Sequence, residues 1–320
     1  MTRTTPSTVE VETFAIDDIR DLAYSFLNAL EAQNKSPKTV KTYGEAVTQL
    51  TAFLLEQGMP TEVSKLNRDH VEAFMVSLLR RAKASTANNR YRALQQFFKF
   101  LQEEGEIPAS PMVNMKPPKV PEEPVEHVEL EDLRKILKTC ATTAKESRMI
   151  ATKLENTRDE AIIRFLFDTG VRSAELIALQ LDDVDVRGRC ATVLGKGRRP
   201  RTVEFGAKTA LALDRYLRAR RATTFASSPW LWLGVRGPMT DSGLRQMLER
   251  RSQAAGVRHV HPHMLRHSQA TEHMRNGGSE TALMRNMGWR SPQMIRRYTA
   301  AAAEELAREE HRRMALGDQL

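Results

Sequence analysis

Residues 106–126, EIPASPMVNMKPPKVPEEPVE, carry six prolines. Proline fixes φ and removes a backbone donor, so this stretch can form neither a long helix nor a central strand. It therefore divides the 320-residue chain into two pieces of ordinary domain size. The sequence places a linker over 107–126. Proline makes such a linker extended and semi-rigid, fit to hold two domains clamped on either side of a long partner; an inert spacer is the alternative.

Upstream, residues 1–15 are polar and Thr-rich and read as a flexible N-terminus, with order beginning near Asp17. Residues 16–106 read as a compact domain of four helices. Their apolar residues recur at helical spacing: Leu22, Phe26, Leu30; Val40, Tyr43, Val47, Leu50, Leu54; Val71, Phe74, Leu78; and Tyr91, Leu94, Phe98, Leu101. Ser36-Pro37, Gly58-Met59-Pro60 and Ala84-Ser85-Thr86 mark the breaks. The fourth helix, STANNRYRALQQFFKFL over 85–101, has a second stripe of Ser85, Asn89, Arg92 and Gln96, suited to base edges and phosphates. The same stripe suits an ordinary solvated face, as do Lys35, Lys38 and Lys41 near the second helix.

Downstream, residues 127–320 open with a helix from about Glu129 to Cys140, then a polar stretch around Thr142 to Lys153. Thr157-Arg-Asp-Glu160 reads as a capping box ahead of Ile162, Ile163, Leu166 and Phe167, and Gly170 as the end of that helix. Residues 183–205, DVDVRGRCATVLGKGRRPRTVEF, alternate and turn as a small antiparallel sheet does, with Lys196 at a hairpin tip. From Ala207 the pattern is helical again, with short exceptions near Trp230 to Gly237. The expected fold is mainly α: a four-helix domain, then a mostly helical domain carrying a small antiparallel sheet.

The 49 Lys and Arg against 40 Asp and Glu leave a formal charge of +9. A single-signed field of that kind attracts polyanions, with nucleic acid the leading partner and an acidic membrane surface the lesser one. Cys140 and Cys190 lie far apart, forming neither a CxxC pair nor a disulfide framework, which suits a reducing cytosol. No apolar run has the length of a signal peptide core or a membrane span. A soluble, cytoplasmic protein is expected.

Taken singly, the candidate site residues are ambiguous. Arg172 in TGVRSAEL suits a surface ion pair with Glu175, three residues on. Lys196 in GKGRRPR suits a solvated turn or a phosphate contact. His263 and Arg266 are three apart and share a helix face, so both can reach one bound group. His261, His263 and His267 invite a metal, but no HExxH glutamate is present and Arg266 would put a fixed cation in the site. Trp289 and Tyr298, nine apart, suit ordinary packing.

Order and spacing together change this. TGVRSAEL, GKGRRPR, HMLRHSQAT, MGW and RRYT, in that order, resemble the tyrosine recombinases: phage integrases, Xer-type recombinases and Cre. The resemblance covers 127–313 closely and the helical domain more loosely. One departure is mild: Trp289 stands where many members carry a second histidine.

The resemblance implies a two-domain DNA clamp, with a core-binding, SAM-like DNA-binding domain over 16–106 and a catalytic domain over 127–320. It implies catalytic roles for Arg172, Lys196, His263, Arg266, Trp289 and Tyr298, supported by Glu175, and a 3′-phosphotyrosyl intermediate. DNA contacts are expected from Lys38, Lys41, Asn89, Arg92, Arg198 and Arg199. It further implies double-stranded DNA as partner, a homo-tetramer on synapsed DNA that is a monomer or weak oligomer when free, and accessory directionality proteins. A C-terminal helix over about 302–314 would dock on a neighbouring protomer. Neither metal nor other cofactor is expected, and location is cytoplasmic, with the nucleoid when bound. The short N-terminus argues against an additional arm-binding domain. A type IB topoisomerase-like nicking and resealing enzyme and a catalytically inactive DNA-binding regulator are the alternatives.

Overall fold

The computed structural model describes residues 17–121, 126–141, 150–195, 199–234, 236–289, 291, 295, 308, 311–315 and 318. Tyr298, Lys196 and Arg198 lie outside these residues, as does most of the helix expected over 302–314. The chain divides into two compact units, Met1–Glu123 and Pro124–Leu320. Among the described residues no helix is long and apolar enough to cross a membrane.

The first unit holds the four expected helices: α1 (Ile19–Ala32), α2 (Pro37–Glu56), α3 (Arg68–Arg81) and α4 (Ala84–Glu103). Their starts are chemical. Asp18 accepts the Arg20 amide at 2.8 Å and Ser36 accepts the Thr39 amide at 3.2 Å, each satisfying an orphan donor of a first turn. Asn67 and His70 form a reciprocal box at the head of α3. The core joins Phe26, Leu50, Leu54, Phe74, Tyr91, Leu94, Phe97, Phe98 and Leu101. Part of the proline-rich stretch belongs to this unit: Ile107 and Met112 are buried in its core, and Tyr91 donates to the Met115 carbonyl at 2.6 Å. Proline count describes the backbone there, but two apolar side chains decide where it packs.

The second unit is built on α6 (Ile150–Thr169), which packs against α8 (Ala207–Arg220) and α10 (Pro262–Arg275). Around it run α5 (Leu130–Lys138), α7 (Ser173–Ile177), α9 (Asp241–Ala254) and α11 (Glu280–Met287). An antiparallel sheet in the order β1-β2-β3 comprises β1 (Val184–Asp185), β2 (Cys190–Leu194) and β3 (Pro200–Glu204). Its register pairs Cys190 with Glu204 and Leu194 with Pro200, and the Gly195 amide closes the turn onto the Arg199 carbonyl at 2.9 Å. A two-stranded ribbon, β4 (Leu233–Gly234) with β5 (Gly237–Pro238), accounts for the helical break expected near Trp230 to Gly237.

Thr157 does not cap a helix. The helix already runs from Ile150, and the Thr157 hydroxyl donates back to the Lys153 carbonyl at 2.7 Å while Glu160 pairs with Arg164 at 2.8 Å. A Thr and a Glu three apart fit a helix interior as well as a cap. Beneath this segment, the fully buried Asp159 carboxylate accepts from Arg158, Arg250 and Arg251, an arrangement that balances a charge removed from water.

Candidate active site

The site begins where α6 stops. Gly170 has φ +60, a conformation that costs other residues strain, and this turn carries the chain from Thr169 to Arg172. A β-carbon at Gly170 would lie 2.6 Å from Met287 Cε, so the turn also brings the end of α11 close. From α10, Arg266 reaches into this junction: it is buried, donates Nη1 to the Gly170 carbonyl, and donates Nη2 to the Met287 carbonyl at 2.7 Å. One guanidinium thus joins the TGVR turn to the turn before Trp289.

That second turn is closed by Gly288, which has φ +61, with the Trp289 amide bonding back to the Met284 carbonyl at 2.9 Å. The closure places the buried Trp289 ring 5.6 Å from the Arg266 guanidinium carbon, within cation–π range. Trp289 also packs with Ala270, Leu283, Met287 and Ile295 in a small core of its own.

Arg172 is held from behind. Its backbone amide donates to Glu175 Oε2 at 2.8 Å and its Nη1 to Glu175 Oε1 at 2.7 Å. Glu175 is buried, at 4% side-chain exposure, whereas Arg172 keeps 35%. Burial alone would push the Glu175 carboxyl up. The hydrogen bonds from Arg201 and Arg172 override it and leave the carboxyl at about 2, ionised at any ordinary pH.

Arg201, on β3, was not among the residues singled out in the sequence. It grips Glu175 with both terminal nitrogens, at 2.9 and 2.8 Å, and donates Nε to the Asn286 carbonyl at 3.1 Å. The signal for it is the strand's own alternation: Arg201 is two residues from the buried Val203 and so shares its inward face.

His263, the second residue of α10, is only partly buried, and its pKa is held below the usual 6.5. Partial burial is the larger cause; the charges of Arg266, His261, Arg172 and Arg245 add to it. These charges make His263, Arg266 and Arg172 one electrostatic neighbourhood. The imidazole is consequently neutral at pH 7, with a lone pair to accept a proton. His267 stacks on His263 with centroids 6.2 Å apart, and among the described residues no three His, Cys, Asp or Glu side chains form a metal-binding group.

Of the predicted site residues, Arg172, Glu175, His263, Arg266 and Trp289 therefore come together around the Gly170 turn. Lys196 lies in sequence between β2 and β3, and Tyr298 follows Trp289 by nine residues, both outside the described residues. Of the predicted DNA contacts, Lys38, Lys41, Asn89, Arg92 and Arg199 are exposed. Arg90, two residues before Arg92, is engaged inside its own domain by Gln49, Glu45 and the Thr42 carbonyl.

A mostly helical two-domain protein with a small sheet, gathering two arginines and a neutral histidine, is the class that these features define. Residues 126–305 match the model of the phage integrase family, and residues 22–105 match that of the phage integrase N-terminal SAM-like domain. The chain belongs to the phage integrase family, the tyrosine recombinases. It is 30% identical over 297 residues to tyrosine recombinase XerC of Bacillus pumilus, covering 89% of this chain and 93% of the relative. With XerC of Oceanobacillus iheyensis the identity is 29%, covering 88% and 92%. Among solved structures, the Tn1549 transposon integrase in complex with a circular intermediate DNA superposes with TM-score 0.71 at 18% identity, covering 93% of this chain and 99% of that one. The XerH site-specific recombinase bound to a palindromic difH substrate gives 0.68 at 20%, covering 90% and 84%. These likenesses are of fold.

Proposed function

We propose that this protein is a site-specific DNA recombinase, cleaving and rejoining DNA through a 3′-phosphotyrosyl intermediate. The observation that carries the reading is the pair of hydrogen bonds from Arg266 to the Gly170 and Met287 carbonyls, which ties the turn leading to Arg172 to the turn before Trp289, with the Trp289 ring beside Arg266. Attack on a phosphodiester builds negative charge on the non-bridging oxygens, and fixed cationic donors there stabilise it. Arg172 and Arg266 supply those donors.

The Tyr298 hydroxyl attacks the phosphorus. With an ordinary phenol pKa of about 10, only about one molecule in a thousand is phenolate at pH 7, so a base is required. His263, neutral at that pH, takes the phenol proton. The bond to the 5′ oxygen breaks and Lys196 returns a proton to it, leaving a 5′ hydroxyl. The phosphotyrosyl ester conserves the bond energy, so a second 5′ hydroxyl reverses the step with neither ATP nor metal. Glu175 orients Arg172, and Trp289 supports Arg266.

The reading extends to a clamp on double-stranded DNA, with residues 16–106 contacting it through Lys38, Lys41, Asn89 and Arg92, and the hairpin through Arg198 and Arg199. Two rounds of exchange through a four-way junction need four protomers, joined by the C-terminal helix over about 302–314. Accessory proteins set direction. The protein works in the cytoplasm, at the nucleoid when bound. A duplex nicked beside the scissile phosphate tests the chemistry, because the released fragment cannot return. Wild-type protein accumulates a covalent adduct and Tyr298→Phe does not; equal adduct from both refutes the assignment. Removal of residues 302–320 leaves DNA binding by the monomer in place and weakens synapsis, read by native gel mobility.

A further inference from the structure

Two guanidiniums share the buried Glu175 carboxylate behind the site. Arg201 takes Glu175 end-on, with Nη1 on Oε1 at 2.9 Å and Nη2 on Oε2 at 2.8 Å. Arg172 receives one side-chain contact, Nη1 to Oε1 at 2.7 Å. Among the described residues, the Nε and Nη2 groups of Arg172 have no acceptor, and a third of its side chain is exposed. A guanidinium and a carboxylate prefer the paired fork geometry. The Oε2 that would complete a fork with the Arg172 guanidinium is taken by Arg201 Nη2 at 2.8 Å and by the Arg172 backbone amide at 2.8 Å; of the two, only Arg201 brings a competing side chain.

We propose that Arg201 is a positioning residue for the strand-transfer site: by engaging both oxygens of Glu175 it holds the Arg172 guanidinium to one hydrogen bond with that carboxylate and leaves the remaining guanidinium donors for the phosphate. This rests on the function proposed above. Without Arg201, the Glu175 carboxylate is half-neutralised and draws Arg172 into a full fork, turning its donors away from the DNA. The same side chain, through Asn286, ties β3 to the turn that leads to Trp289. Strand β3 is the second arm of the hairpin whose connection includes Lys196. Arg201 therefore links hairpin, carboxylate and tryptophan turn.

The test is a double-mutant cycle with two readouts. Arg201→Gln lowers the rate of adduct formation on a nicked duplex roughly tenfold, the size of coupling expected between residues in one network, while DNA affinity stays within about twofold. Glu175→Gln removes the competing charge, and in that background Arg201→Gln costs nothing further. A loss of undiminished size in the Glu175→Gln background overturns the proposal, because Arg201 would then act through Asn286 or through packing alone. The second readout needs no cleavage: the Nε–H signal of Arg172, followed by NMR as inorganic phosphate is added to the full-length protein. It responds in wild type, weakly in Arg201→Gln, and again in the double variant; an equal response in all three overturns the proposal. Wild-type protein that forms no adduct refutes the strand-transfer reading, and the phosphate titration then decides on Arg201 by itself. If Arg201→Gln does not fold, Arg201→Lys takes its place in the same cycle, with a smaller loss that again vanishes beside Glu175→Gln.

Discussion

Arg266 and Gly170, 96 residues apart, are joined by a hydrogen bond from the Arg266 guanidinium to the Gly170 carbonyl. The bond needs the left-handed turn at Gly170, and that turn is packed against Met287, whose carbonyl takes the other end of the same guanidinium. Gly170→Ala strains φ and drives a β-carbon into the Met287 side chain. Stability should fall by about 1–3 kcal/mol in urea unfolding. A loss below about 0.5 kcal/mol would show that the turn relaxes freely and that Arg266 does not depend on it.

The Glu175 carboxyl, at about 2 in the folded protein against an ordinary 4.5, links stability to acid. A depressed carboxylate contributes stability that is fully present above its unfolded value and lost as pH falls towards the folded one. The window is therefore pH 4.5 down to about 2, and the drop corresponds to about 3 kcal/mol. Wild-type protein should lose most of that amount, about 2 kcal/mol, more than Glu175→Gln between pH 5 and pH 2.5, in paired urea titrations. Equal acid sensitivity of the two proteins would mean that the carboxylate carries no such linkage.

Both of these effects lie between distant segments, and that distance separates what the sequence disclosed from what it hid. Arg172, His263 and Arg266 were legible because each sits in a local motif with its own geometry: a helix junction, and an i, i+3 pair on one face. Helices α1 to α4 were legible from apolar spacing, since an amphipathic face has one way to be buried. Arg201 was not, because its meaning depends on Glu175, 26 residues away, and on Asn286, 85 away. Within GRRPR it is one arginine among several. Thr157 shows the converse error, a local signature overruled by the length of the helix around it.

The proposed base role of His263 makes a pH profile decisive. Its pKa is held below 6.5, so the ring loses its proton, and gains function as a base, at lower pH than a free histidine. The rate of adduct formation should rise with pH, reach half its plateau below pH 6.5, and stay flat through pH 7.5. His263→Ala should slow the step by about 10²–10⁴ and abolish the acidic limb. A limb that survives in His263→Ala would assign the titration to another group.

Trp289 separates packing from electrostatics. It fills a small core with Leu283, Met287 and Ile295, so Trp289→Ala would unfold that corner and report nothing specific about Arg266. Phe and Leu both partly fill the space, but only Phe keeps a π face for the guanidinium 5.6 Å away. A desolvated cation–π contact is worth up to about 2 kcal/mol, or roughly thirtyfold in rate if it is made in the transition state. Trp289→Phe should therefore hold adduct formation within about threefold of wild type, and Trp289→Leu should lower it roughly tenfold at matched melting temperature. Equal rates in the two variants would mean that Arg266 is fixed by Gly170 and Met287 alone, with the ring serving only to exclude water.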